Sequence, residues 1–104
     1  GAGVGLYDVK NGTTLWDKTF GLPEMRDIVF APEGGRFLVA TTERENFDML
    51  VQLVDLAGKV LWEKRFPKNF SSYEVKYVRF KDGKTAEVFD SAKNTYVTEA
   101  LPSA

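Results

Sequence analysis

The 104-residue chain contains neither cysteine nor histidine. Without cysteine it has no disulfide framework and no thiolate metal site. Without histidine it lacks the commonest general base and the commonest metal ligand. No run approaches the roughly 18 consecutive apolar residues of a membrane-spanning helix, so no membrane span is expected. Neither sign of charge dominates: 14 basic and 15 acidic residues are interspersed to a net charge of −1. No stripe of Lys and Arg forms, and nucleic acid is disfavoured as a partner. There is no Ser-His-Asp or Cys-His set and no Gly-rich phosphate loop. Catalytic, cofactor-binding and metal-binding residues are therefore expected to be absent, and the chain is not expected to be an enzyme.

What is present is apolar and periodic. Hydrophobic residues make up 43% of the chain and aromatic residues 13%, a composition that buries enough surface to fold. The apolar residues recur every second position or in short continuous runs, never at helical spacing, so the elements are strands. Nine are expected. They are Val4 to Val9, Thr13 to Phe20, Arg26 to Ala31, Arg36 to Thr42, Met49 to Leu56, a strand through Trp62 ending at Phe66, Tyr73 to Phe80, Thr85 to Asp90, and Thr95 to Glu99. Turn signals separate them: Asn11-Gly12, Gly21-Leu22-Pro23, Pro32-Glu33-Gly34-Gly35, Ala57-Gly58, Asp82-Gly83 and Ser91 to Asn94. Phe37, Val39 and Thr41 alternate with Leu38 and Ala40, so both faces of that strand are largely apolar, as in a sheet covered on both sides.

The chain repeats itself. Leu6-Tyr7-Asp8 and, after a turn, Leu15-Trp16-Asp17-Lys18 return as Leu53-Val54-Asp55 and Leu61-Trp62-Glu63-Lys64, 47 residues on at the first Leu and 46 at the Trp. Ile28 and Phe30 return as Val78 and Phe80, and Glu33-Gly34 returns as Asp82-Gly83. Repeats of about 20–50 residues signal stacked units. They divide a single all-β repeat domain, residues 1–104, into a half unit (4–20), a full unit (26–66) and a partial one (73–99).

Ile28 to Val39 resembles the first hairpin of a β-propeller blade of the WD40-like or quinoprotein-like kind, and Val54 to Trp62 resembles the second. The resemblance implies antiparallel four-stranded propeller-type blades, about two of them, forming an incomplete propeller. Closed propellers use about 4–8 blades, so it also implies a protein partner, with self-association through edge strands, or membership of a longer chain. Tyr7-Asp8 and Val54-Asp55 stand where WD40 blades carry Trp-Asp, the buried Asp-His network of that family is impossible here, and no quinone ligand set is found. The resemblance thus supplies a fold and no active site. Two function classes follow: a non-catalytic interaction or self-assembling structural module, and a fragment of a larger propeller enzyme or ligand-binding protein completed by absent blades. A two-sheet β-sandwich is the alternative fold, because many short strands with turn signals suit that as well.

Individual residues are weighed on the same basis. Trp16 and Trp62 are expected to fill the space between sheets rather than to form a stacking platform. Asp8 and Asp55 are expected to accept backbone N–H groups in their turns. Asp82-Gly83-Lys84 lacks the further oxygens of a calcium loop. The sequons Asn11-Gly12-Thr13 and Asn69-Phe70-Ser71 matter only on a glycosylating route. Binding candidates come from the two longest connectors, since loops carry function more often than strands. They are Arg44 and Phe47 in the charged loop, and Phe70 and Tyr73 in the second connector, aromatics and an arginine of the kind that anchor interfaces.

Overall fold

The computed structural model describes residues 3–8, 13–19, 24–43 and 45–103, with side chains described from Arg26 onward. Nine strands follow one another: β1 (Gly3–Asp8), β2 (Thr13–Thr19), β3 (Glu24–Phe30), β4 (Arg36–Thr42), β5 (Met49–Asp55), β6 (Val60–Phe66), β7 (Val78–Asp82), β8 (Thr85–Asp90) and β9 (Thr95–Ala100). The fold is all-β, with no helix among the described residues. Each strand pairs only with its chain neighbours, giving three antiparallel sheets: β1-β2, β3-β4-β5-β6 and β7-β8-β9.

The alternation of β4 is realised in full, and every one of its seven residues is buried. On one face Leu38 and Ala40 join Met49, Val51 and Leu53 of β5, and this surface packs on Val78 of β7 and Ala86 and Val88 of β8. On the other face Phe37, Val39 and Val54 form a second cluster with Ile28 and Val60 against it. Trp62 lies partly buried against the first cluster. The indole thus occupies the margin between the sheets. The Trp16 side chain, and that of Asp8, lie outside the described residues, as does the turn at Asn11-Gly12.

Strand pairing makes the repeat explicit. Ile28 opposes Val39 and Val29 opposes Leu38 in the first sheet, just as Val78 opposes Val88 and Arg79 opposes Glu87 in the second. Continuing outward, Leu38 opposes Leu53 and Glu87 opposes Thr98. The face of β7-β8-β9 that meets the first sheet is therefore the counterpart of the opposite face of β3-β4-β5-β6. The two sheets stack head to tail, like successive units of an array.

One expected strand is shortened. The pattern from Tyr73 to Phe80 forms a strand only from Val78, and the chain is anchored at that start by a side chain of the first sheet. Tyr77 and Val78 donate to Oδ2 of Asp27, at 3.1 and 3.4 Å. Asp27 stands at a bulge in β3, where the register shifts between Met25 and Asp27, and its Oδ1 accepts from Ile28 N–H. One carboxylate thereby ties the first sheet to the start of the second.

A second tie comes from Arg36, which is buried. Its two Nη atoms donate to the carbonyls of Pro102 and Gly83, each at 2.6 Å. Gly83 itself tolerates no side chain without movement of Glu33, whose carboxylate lies 3.0 Å from where a Cβ would stand. The expected turn chemistry holds at Asp55, whose Oδ1 accepts N–H bonds from Ala57 and Lys59, both at 2.9 Å. Asp82 accepts from Lys84 at 2.8 Å, and that N–H holds its carboxyl below the usual range.

Candidate functional site

The β4–β5 loop (43–48) and the β6–β7 connector (67–77) emerge at the same end of the stacked sheets, and the backbone locks them together. Glu43 and Asp48 close the first loop through an N–H to carbonyl bond of 3.0 Å, and Phe47 N–H donates to the Glu43 carbonyl at 3.0 Å. Phe47 is forced into the left-handed region, φ 62°, and Lys68 of the connector likewise at 48°. Such a conformation costs a bulky residue about 1–3 kcal/mol and persists only where the surroundings impose it. Here they do. Lys68 N–H donates to Oδ1 of Asp48 at 2.9 Å, and Asn69 N–H donates to the Phe47 carbonyl at 2.9 Å.

Asn69 is the hub of this end. Its buried amide donates through Nδ2 to the Phe89 carbonyl at 2.6 Å and accepts through Oδ1 from Ser91 N–H at 2.7 Å. Phe70 N–H completes the junction by donating to Ser91 Oγ at 3.1 Å. The β6–β7 connector is thus fixed both to the charged loop and to the end of β8. The nitrogen that glycosylation would modify is already bonded, and Asn69 is only 3% exposed. In the folded protein this sequon is closed.

The outcome is a pair of rings held in the open. Phe47 and Phe70 are 43% and 42% exposed, with centroids 4.9 Å apart and planes tilted by 43°. The Arg26 guanidinium lies over the Phe70 ring, 5.6 Å from its centroid. A girdle of charge supports them. Arg65 pairs with Glu43 at 3.0 Å and lies 3.8 Å from Asp48. That hydrogen bond, with a second from Asn46, holds the Glu43 carboxyl below the usual range and pushes Arg65 up.

Of the binding candidates, the structure brings Phe47 and Phe70 into contact. Tyr73 is 80% exposed, further along the same connector, and makes no ring contact among the described residues. Arg44 lies outside the described residues. Arg26 and Asn69 were not among the candidates. For Arg26 the available signal was the charged pair Arg26-Asp27 interrupting an apolar strand, a bulge-like break in alternation. Asn69 carries no local signal beyond its place in a sequon. Among the described residues no three carboxylates gather as a metal site. No helix of the described residues is long and apolar enough to cross a membrane.

No family model, curated protein or solved structure matches the chain.

Proposed function

We propose that the chain is a non-catalytic interaction module built of propeller-type blades, and that it takes a protein partner on the rings of Phe47 and Phe70, with Arg44 and Tyr73 on the same two loops. The observation that carries this is the rigid exposure of the ring pair. Two aromatic side chains stand more than 40% open, one on a strained backbone position that hydrogen bonds from two loops enforce. Strain retained at an exposed aromatic points to use rather than to packing. The blade interpretation is supported by meander sheets stacked head to tail, in which every strand pairing among the described residues joins chain neighbours, whereas a Greek-key sandwich sets strands distant in the chain side by side.

The test is the double variant Phe47→Ala/Phe70→Ala. It is expected to melt close to the parent protein while losing a partner that co-purifies stoichiometrically from the native source. A large fall in melting temperature would instead assign the rings to packing. The proposal extends to self-association through the outer edge of β9, which has no neighbour in its three-stranded sheet. Light scattering over a range of concentrations is expected to show a discrete oligomer, and a mass that stays at one chain would remove this part. The second reading, a part of a larger propeller enzyme or ligand-binding protein, is favoured by the two- and three-stranded sheets, each short of four strands. It predicts that a longer chain carries the missing strands.

A further inference from the structure

Equivalent faces of the two larger sheets carry opposite chemistry. In β3-β4-β5-β6 the face toward the second sheet presents Val29, Leu38, Ala40, Val51 and Leu53. The pairing register places Arg79, Glu87, Phe89, Tyr96 and Thr98 at the same positions of β7-β8-β9. An aliphatic stacking surface has become a charged and aromatic one.

The replaced residues form a closed network. The Arg79 guanidinium lies 3.6 Å from the Tyr96 ring centroid, and its Nε donates to Glu87 Oε1 at 3.2 Å. Tyr96 stands edge-on to Phe89, with centroids 5.5 Å apart, and its hydroxyl donates to the Lys76 carbonyl at 2.7 Å. Tyr77 meets the Phe89 ring edge-on as well, at 6.4 Å. Phe89, the apolar member of the set, is thereby buried within its own sheet. The Arg79 and Glu87 charges pair with each other on the face and the Tyr96 hydroxyl is bonded to the connector, so an apolar neighbour docking here would have to desolvate two charges and would offer them nothing in return.

We infer that the stack of sheets ends at the outer face of β7-β8-β9, and that Arg79, Glu87 and Tyr96 form a solvent-facing cap that blocks addition of a further sheet, whether from a second copy or from more chain. Head-to-tail stacking generates open filaments when it is not stopped, and arrays of repeats stop it with a polar outer face on the terminal unit. The surface that would have to dock here, judged from the way these two sheets meet, is of the Ile28, Phe37, Val39 and Val54 type. It has no complement for an Arg-Glu pair. The inference rests on the repeat register and is independent of what binds Phe47 and Phe70. It also bears on the larger-propeller reading, because a ring closed through this face would have to cover it.

The absence of native cysteine permits a direct test. A single thiol placed by Thr98→Cys is expected to react with a maleimide in the native protein nearly as fast as in denaturant. Ala40→Cys, on the equivalent face of the first sheet, is expected to react only after unfolding. Protection of the Thr98→Cys thiol in the native protein would overturn the inference. As a second arm, Arg79→Val, Glu87→Leu and Thr98→Leu together restore the residues of the first sheet. That variant is expected to gain concentration-dependent mass by light scattering beyond the parent chain, and an unchanged mass profile would show that the charges are not what stops the stack.

Discussion

The sheets β3-β4-β5-β6 and β7-β8-β9 are two versions of one pattern, and they differ in what lies beyond them. The first is covered on both faces, so that Leu38, Val39, Val51, Leu53 and Val54 are all fully buried. The second buries Val78, Ala86 and Val88 on one side and turns Arg79, Glu87 and Tyr96 outward. The backbone pairing is conserved between them while the side chains at one set of alternate positions change class. A strand's hydrogen-bond register and the fate of its faces are thus separable: the first follows from spacing and turns, the second from which positions carry aliphatic groups.

The largest test of that contrast is a matched pair of truncations. Leu53→Ala is expected to cost about 2–5 kcal/mol, the usual range for a buried Leu. Its counterpart Thr98→Ala should stay within about 0.5 kcal/mol, as surface changes do. Equilibrium denaturation of both variants measures the difference, and equal losses would mean that the outer face is as deeply covered as the inner one.

Next in size is the tie between the sheets. Asp27→Ala leaves the N–H groups of Tyr77 and Val78 without their acceptor and is expected to cost about 1–3 kcal/mol. Asp27→Asn, which keeps an acceptor oxygen, should recover part of that loss. Hydrogen exchange at Tyr77 and Val78, fast in the Ala variant and slower in the Asn variant, would localise the effect to this carboxylate.

Smaller again is the cap itself. Arg79→Ala removes an exposed cation–π contact of about 0.5–1 kcal/mol together with the Glu87 pair, and a Tyr96→Leu background should reduce the effect by the cation–π share, read as the coupling in a double-mutant cycle.

The smallest effect is acid sensitivity. Glu43 and Asp82 both have carboxyls held below their ordinary range, by Arg65 and by the Lys84 N–H respectively. A depressed folded-state pKa stabilises above the unfolded value and loses that contribution as pH falls through the folded one. Melting temperature should therefore decline on the acid side of the ordinary carboxylate range. The decline should be shallower in Glu43→Gln/Asp82→Asn, and modest throughout because both groups are exposed.

The strands were legible in the sequence because alternation and turn residues are local signals. Arg36 to Thr42 and Thr85 to Asp90 form strands with the expected bounds, and the Ile28/Val78 correspondence gives the stacking order. What escaped notice depends on partners far along the chain. The Asp27 carboxylate meets N–H groups 50 and 51 residues away, and no periodicity advertises such a bond. The carboxylate meets the chain where the strand expected from Tyr73 begins, at Val78. Phe47 and Phe70 were each conspicuous as aromatics in polar loops. Their contact depends on the left-handed turns at Phe47 and Lys68 and on the Asn69 amide, features set by tertiary geometry. Arg26 joined them through a bulge, where the alternation that guides strand assignment is suspended.

Arg36 links early and late parts of the chain in time as well as in space. Its strand can pair with β3 and β5 as soon as those have been synthesised, yet its guanidinium needs the carbonyl of Pro102, 66 residues further on. Before that residue is in place the guanidinium can stay in water, and burying it without its two acceptors would be costly. The stretch after β9 therefore completes the burial of a side chain on a central strand of the other sheet.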